Sequence, residues 1–552
     1  MNLPDIWGPG QLLAFSGIDG HTDWAKPFVL HTGARPGGLL VRLPATIAVG
    51  FEGMPPLRFQ AILGDAITAE SPGGAYRAVF LDHHTLAGEL PEGTRMTVDG
   101  RSAGEDALSV DAGPMKLVAA TRGRRWALLL SDASATDVAE RLTQALGADL
   151  TPVFEQREAF VRRVRIPEGL SPERERLLRK AVSVMKVNTE APCGVIRRRW
   201  TTPDRWPHRH MWLWDSAFHS MGIAYVDMDL AKDAVLAMLE QVHEDGLLPH
   251  MVPAGGTPST ITQPPVLAWA TLRILRLSGD VEWAAECLPY LHRYLEWMRL
   301  NRDKNGNGIP EWHIAGDPLC RSGESGLDNS PRFDRAVLLD AVDFASFLSH
   351  DLECLGEIAA RVGNQALQAE CEAHARRIAE AVNALLWSDD EGFYLDRDFE
   401  GRLSEVKAVT GFLPLLAGIP NAGQAEALCQ HLSNPRTFGA PLPVPSVSLD
   451  SGSYCKDMWR GPTWMNLNYA ILCGLLRAGF HEEAAQLRER SLAAIQRIYE
   501  TDGCLYEYYD SLDVTHPSRL DRKQRLISGK GIAPISDYHW TAALTAAMIF
   551  EG

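Results

Sequence analysis

The chain has nine cysteines but no pair of them. Cys193, Cys287, Cys320, Cys354, Cys371, Cys429, Cys455, Cys473 and Cys504 stand singly, without a Cys-x-x-Cys spacing, and the odd count leaves at least one outside any internal bridge. A disulfide framework is not expected, and reduced thiols point to a cytoplasmic protein. Long apolar runs are missing as well: none approaches ~20 residues, and MNLPDIWGPGQLLAFSG at the N-terminus lacks the basic and apolar regions of a signal peptide. Neither a membrane span nor secretion by that route is expected. Positive charge is in deficit, 54 Lys and Arg against 70 Asp and Glu, and the net charge of -16 repels phosphate backbones and anionic lipid. Nucleic acid and membrane surfaces are thereby excluded as expected partners. His208, His210, His219, His250 and His539 show no His-Glu-x-x-His or comparable spacing, which argues against a catalytic zinc. No internal repeat suggests a solenoid.

What is present falls into two regimes. Up to about residue 160, short apolar runs such as GLLVRLPATIAVGF and MKLVAATRGRRWALLLSD are punctuated by Gly, Pro and Asp, the pattern of strands and turns. From SPERERLLRKAVSVMKV onward the period turns helical, with Ser171 as N-cap and Pro172 at the first helical position. About twelve helical segments follow, near 171–188, 213–225, 228–242, 263–278, 280–301, 335–360, 363–387, 405–417, 420–433, 459–478, 480–500 and 537–550. Tight connections such as LSGD and AGF alternate with long ones at 243–262, 302–334, 434–458 and 501–536. Antiparallel helix pairs joined this way suit a closed toroid of six hairpins whose long loops share one mouth. The expected architecture is a β-rich, sandwich-like N-terminal domain over 1–165 and an (α/α)6 barrel over 166–552.

The unusual chemistry sits beside the long loops. WLWDSAFHS (212–220), ESGLDNSPRFD (324–334), DMWRGPTWMNLNY (457–469) and CLYEYYDSL (504–512) between them combine Trp and Tyr with carboxylates and amides. Aromatic faces stack on sugar rings while amides and carboxylates bind hydroxyls, so this mixture fits a small carbohydrate. For one tryptophan, core packing is the commoner role; aromatic side chains clustered beside acids are harder to explain by packing, because burying unpaired charge is costly. In ESGLDNSPRFD three acids compete. Asp334 follows Arg332 and suits a helix cap or ion pair, Glu324 suits loop anchoring or hydroxyl binding, and Asp328 lies between Leu327 and Asn329, whose amide can reach a sugar hydroxyl.

WLWDSAFHSMG, HEDGLLPHMV, TQPPVLAWA, ESGLDNSPRFD, MWRGPTWMNLNYAILCGL, YEYYDS and HWTAAL occur in the order found in the inverting glycosidases of glycoside hydrolase family 63. The chain resembles that family and its mannosylglycerate hydrolase-like group over about residues 175 to 550, and more distantly the family 37 trehalases. The resemblance implies an (α/α)6 fold, a general acid at Asp328 and a general base at Glu507. It further implies a sugar subsite of Trp212, Trp214, Asp215, Gln263, Asn329, Trp459, Arg460, Gly461, Tyr508 and Trp540, with Arg460 equally suited to holding a loop carboxylate. An inverting pair needs one protonated and one ionised carboxyl, ~6.5–9.5 Å apart so that water fits between.

NRDKNGNGIPEW places Asp303, Asn305, Asn307, Gly308 and Glu311 at positions one, three, five, six and nine of an EF-hand-like loop, with the Ile309 carbonyl available. Position twelve is Ile314, so the bidentate glutamate is missing. A structural Ca²⁺ is one reading and an Asx-rich turn the other. No cofactor is expected for catalysis. The function expected is an inverting, exo-acting α-glycosidase for α-glucosides or α-mannosides, with a small or anionic aglycone such as glycerate. A sugar 2-epimerase on the same toroid, using paired histidines, and a catalytically silent carbohydrate-binding protein are the alternatives.

Overall fold

The computed structural model describes residues 1–18, 20–336 and 338–552. By internal contacts these divide into two units, one of Met1–Arg209, Ile495–Leu505 and Ser536–Phe550, the other of His210–Ala494, Tyr506–Ile535 and Glu551–Gly552.

The first unit contains two antiparallel sheets of six and seven strands. Alternation explains how they pack. In Arg125–Asp132 the side chains of Trp126, Leu128 and Leu130 join a core with Leu30, Val41, Val49 and Met96 of the other sheet. The intervening Ala127 and Leu129 face the other way, toward Leu142, Leu146 and Phe154. A strand buried on both faces reads as the continuous apolar run WALLL rather than as alternation. The covering residues come from helices Val138–Gly147 and Thr151–Arg162, which the strand-and-turn reading of this region missed. The sandwich-like β-rich expectation holds for about the first 130 residues.

Helix Pro172–Val187 starts as its sequence predicts: Ser171 Oγ accepts the Arg174 amide at 3.2 Å, and Pro172 occupies the first turn, where no N–H is needed. Every residue from Leu177 to Val187 is buried. Its lysines survive burial by pairing, Lys180 with Asp537 at 2.8 Å and Lys186 with Asp65 at 2.5 Å. Asp537, in a left-handed conformation, also accepts the amides of Leu12 and Leu505, so one carboxylate ties together three distant segments of this unit.

The second unit is helical. Leu213–Ile223 is buried along its whole length, whereas Val281–Asn301 is buried on one face only. Asp227, Asp280, Asn364 and Asn421 cap the helices that follow them, the last in a reciprocal box with Gln424. Several starts differ from expectation for local reasons. The segment expected from 263 begins at Leu267, because Pro264 and Pro265 bar helical backbone before it. The one expected from 335 begins at Val342, after Leu339–Asp340 pairs with Arg397–Asp398. Residues 405–417 give only a 3-10 segment, Val409–Leu415, with Pro414 inside it. The helix expected from 459 begins at Met465, since 457–464 forms a loop that the site requires.

Candidate active site

Trp212 precedes the fully buried helix Leu213–Ile223 in extended conformation, and the two-residue pairing of Met211–Trp212 with Met251–Val252 holds it there. Its ring meets His250 edge-on at 5.2 Å. Asp215 lies in the first turn of that helix and is 3 % exposed. Gln263 is buried, and its side-chain carbonyl accepts the Trp214 amide at 3.3 Å. These four residues are thus tied to one helix start by backbone pairing and a buried amide.

The acidic loop runs across the Trp214 ring. Gly326 has a φ of +71°, and a Cβ there would come within 2.3 Å of the indole, so both conformation and space demand glycine two residues before Asp328. The three acids of this loop separate by environment. Glu324 is fully buried, paired with Arg302, and accepts the amides of Thr262 and His313, which makes it an anchor. Asp334 holds Arg460 in a two-point ion pair at 2.9 and 2.7 Å. Asp328 keeps a partly exposed side chain, 21 %, and its Oδ2 receives Lys523 Nζ at 2.7 Å. Burial and the Asp328 charge push the neighbouring Cys320 thiol up to about 12. Burial takes His250 down to about 4, with Asp328 opposing.

Asn329 joins this loop to the next: its Oδ1 accepts the Trp459 amide at 3.0 Å and its carbonyl accepts Arg460 Nη1 at 3.1 Å. Trp459 stacks on Trp464 at 3.7 Å and 6°, and lies 6.2 Å from Trp214; Trp464 in turn lies 4.6 Å from Tyr508. A row of four aromatic rings therefore connects the Trp-Leu-Trp-Asp segment to the residue beside Glu507. The loop's backbone is specialised to make the row. Met458 is left-handed, at φ 47°, and its carbonyl accepts the Trp464 indole N–H at 3.0 Å. At Gly461 a Cβ would fall 2.1 Å from the Cys455 carbonyl oxygen. The Trp459 indole N–H is buried without a hydrogen-bond partner among the described residues.

Glu507 is 2 % exposed and accepts three N–H groups: Arg522 Nε at 3.1 Å, Arg522 Nη2 at 3.3 Å and the Ile535 amide at 3.2 Å. The carboxylate is thus held by donors from two separate segments, Arg522 and Ile535. Tyr508 is fixed by its hydroxyl on the Asp521 carbonyl at 2.6 Å. Trp540 belongs to the first unit, in helix His539–Phe550, with its ring edge-on to Tyr538.

Arg522, Lys523, Trp464 and Asp457 were not singled out from the sequence. Asp457 accepts the amides of Lys523 at 2.7 Å and Gln524 at 3.1 Å, and both of those residues are left-handed, at φ 53° and 57°. Asp457 and Trp464 lie within DMWRGPTWMNLNY, already marked by its composition; for Arg522 and Lys523 the signal was the basic run RLDRKQR in an otherwise acidic chain.

In the Asp303–Glu311 loop, the Asp303 carboxylate accepts the amides of Asn307 and Gly308, and Glu311 accepts that of Lys304 with both oxygens. Asn305 and Asn307 donate to a third carboxylate, Asp340, at 2.9 and 2.7 Å. Burial raises Glu311, and the charges of Asp303 and Asp340 add to it. Ile309 is fully buried within the loop. Asp340, remote in sequence, is thus tied to the loop through both asparagines.

A family model described as "Mannosylglycerate hydrolase MGH1-like glycoside hydrolase domain" matches residues 208–541, which include both Asp328 and Glu507. The chain belongs to this glycoside hydrolase family. It is 26% identical to a mannosylglycerate hydrolase of Rubrobacter radiotolerans over 70% of this chain and 99% of that one. It is 27% identical to a glucosylglycerate hydrolase of Mycolicibacterium hassiacum over 54% of this chain and 86% of that one. A solved family 63 mannosylglycerate hydrolase from Thermus thermophilus, in complex with Tris and D-glycerate, superposes with a TM-score of 0.57 at 26% identity, covering 68% of this chain and all of that one. The protein is a glycosidase. Family membership decides against the 2-epimerase and the silent binding protein.

Proposed function

We propose that this glycosidase hydrolyses small α-glycosides of glycerate, the glycone being mannose or glucose, with inversion of the anomeric centre. The observation that carries the reading is the gathering of Asp328 and Glu507 by two consecutive cations, Lys523 and Arg522, beside the row of Trp214, Trp459, Trp464 and Tyr508. The relatives' names supply the glycosylglycerate class. Asp328 gives its proton to the glycosidic oxygen as the bond from C1 to that oxygen breaks. Glu507 takes a proton from a water whose oxygen attacks C1 from the opposite face, so a new C1–OH bond forms and the leaving alcohol departs neutral. Trp212, Trp214 and Trp459 would wall the sugar, and Asp215, Gln263 and Asn329 would bind its hydroxyls; Arg460 and Gly461 shape the loop that presents Trp459. Paired buried and amphipathic helices support an (α/α)6 toroid as the frame.

A structural Ca²⁺ held by Asp303, Asn305, Asn307, the Ile309 carbonyl and Glu311, with Asp340 added, fits the hard oxygen donors of that loop and would brace it without taking part in catalysis. The isolated thiols and the absence, among the described residues, of any helix long and apolar enough to cross a membrane are compatible with a cytoplasmic site of action. Anomeric NMR on α-mannosyl- and α-glucosylglycerate tests the function: release of the β-anomer first is expected. Release of the α-anomer first would overturn the mechanism, and no turnover of either substrate would overturn the substrate class.

A further inference from the structure

The two cations of the basic run are not equivalent. Arg522 and Glu507 form an enclosed pair, 10 % and 2 % exposed, whereas Lys523 and Asp328 form an open one, 29 % and 21 % exposed. The open pair sits where the leaving group must be, because a general acid by definition contacts the leaving oxygen. Lys523 Nζ donates to Asp328 Oδ2, so while the pair lasts that oxygen is engaged by the ammonium and closed to a leaving group. We propose that Lys523 is the receptor for the anion of the aglycone, and that the substrate's carboxylate draws the ammonium off Asp328, freeing the acid to hold and deliver its proton. This rests on the glycosylglycerate reading and names the residue that selects the substrate within it.

Three observations support a dedicated position for Lys523. Its backbone and that of Gln524 are both left-handed, a conformation that non-glycine residues hold only where the surroundings impose it. The buried carboxylate of Asp457 imposes it by accepting both amides, and Asp457 is two residues from Trp459 of the aromatic row. Finally, a partly exposed ion pair gives up a partner more readily than the enclosed one beside it. In a 2-O-glycosyl glycerate the carboxylate and the glycosidic oxygen are bonded to the same carbon, so an ammonium within hydrogen-bonding distance of the acid can also reach that carboxylate. The other titratable groups around Asp328, the Cys320 thiol with its raised pKa and His250 with its lowered one, leave the ammonium as the charged neighbour to be displaced.

The test compares 2-O-α-glycosyl-D-glycerate with the matching glycosylglycerol, which replaces the carboxylate by a neutral CH₂OH on the same glycone. Purified wild type, Lys523→Met and Lys523→Arg are assayed for kcat and KM on both. Wild type should prefer the anionic substrate by about tenfold or more in kcat/KM, the size of one charge-assisted contact. Lys523→Met should bring the ratio to within about twofold of unity, by loss on the glycerate substrate and by gain on the glycosylglycerol, whose turnover the ammonium no longer obstructs, and Lys523→Arg should restore much of it. Free D-glycerate should inhibit wild type competitively while glycerol at equal concentration does not, a measurement that needs no variant. A wild-type ratio near unity, a ratio unchanged in Lys523→Met, or equal inhibition by glycerate and glycerol would each overturn the assignment while leaving the glycosidase reading intact. Turnover of other α-glycosides with neither glycerate nor glycerol compound cleaved would overturn the substrate class and this assignment together.

Discussion

Lys523 Nζ stands 2.7 Å from Asp328 Oδ2, and the preceding residue, Arg522, holds Glu507 through two N–H groups. One dipeptide thus reaches both carboxylates proposed for catalysis. Adjacent residues on one strained turn fix the two acids on a common surface, with one pair enclosed and the other open. That asymmetry sets the two carboxylates, to which the family resemblance gives different roles, in different surroundings.

The loop bearing Asp328 is anchored by Arg332, which is fully buried and donates to both Asp343 and Asp396 at 2.6–2.8 Å. Arg332→Met would strand two buried carboxylates. A loss of about 3–5 kcal/mol in unfolding free energy is expected, read by denaturant titration. A change under about 1 kcal/mol would mean that water enters and solvates both acids.

If the Asp303–Glu311 loop takes up Ca²⁺, a chelator should lower the melting temperature of the calcium-loaded protein, because an ion bound only by the folded state stabilises it by mass action. Asp303→Ala should abolish that response, and Asp340→Asn, which alters the carboxylate that Asn305 and Asn307 donate to, should weaken it. A melting curve that is the same with and without chelator would leave the loop as an Asx-rich turn.

Two buried histidines of the first unit should make it acid-sensitive. Burial, with the Arg42 charge adding to it, takes His31 down to about 3, and burial alone takes His539 to about 3. The unfolded chain binds their protons near pH 6.5 while the folded chain refuses them, so stability is complete above that value and falls as pH drops from 6.5 toward 3. The slope is at most about 1.4 kcal/mol per pH unit for each group. Melting temperature measured from pH 7.5 to 5 should decline, and His31→Gln should flatten the decline. An unchanged slope in that variant would show that His31 is not responsible.

Much of the helical frame was legible because caps and periodicity are local: Ser171 marked its helix directly in the sequence, and Asp227, Asp280 and Asn421 cap helices whose periodicity was read. The motif segments were legible by composition, and the structure does bring Trp214, Asn329 and Trp459 into contact through rings and an amide, with Tyr508 joined to them through Trp464. The roles of Glu324 as anchor and of Asp334 as partner of Arg460 were among the readings the residues allowed. Lys523, Arg522 and Asp340 were invisible for a different reason. Each acts across a long loop or from a distant segment, and no periodicity records which carboxylate a loop lysine will meet. Helices Val138–Gly147 and Thr151–Arg162 escaped because they follow a strand-rich region whose punctuation continues into them.

The sharpest prediction separates the two carboxylates by leaving group. Protonation of the departing oxygen matters most when the leaving alcohol is poor, whereas water must be activated whatever leaves. Asp328→Asn should therefore lose about 10²–10⁴-fold in kcat on glycosylglycerate, the range typical of general acid catalysis, yet far less on an aryl glycoside or glycosyl fluoride. Glu507→Gln should be impaired on both substrate types, and azide or formate should restore part of the activity of Glu507→Ala by filling the vacated space. Arg522 gives an internal control, since two of the three N–H groups that Glu507 accepts come from it. Arg522→Met should resemble Glu507→Gln in its indifference to leaving group, though with a smaller loss, because the base remains but is no longer oriented. Near wild-type rates for Asp328→Asn on the unactivated substrate would remove Asp328 from the mechanism. Recovery of the Glu507 variants, rather than of Asp328→Asn, on activated substrates would exchange the acid and the base while leaving the rest of the site as described.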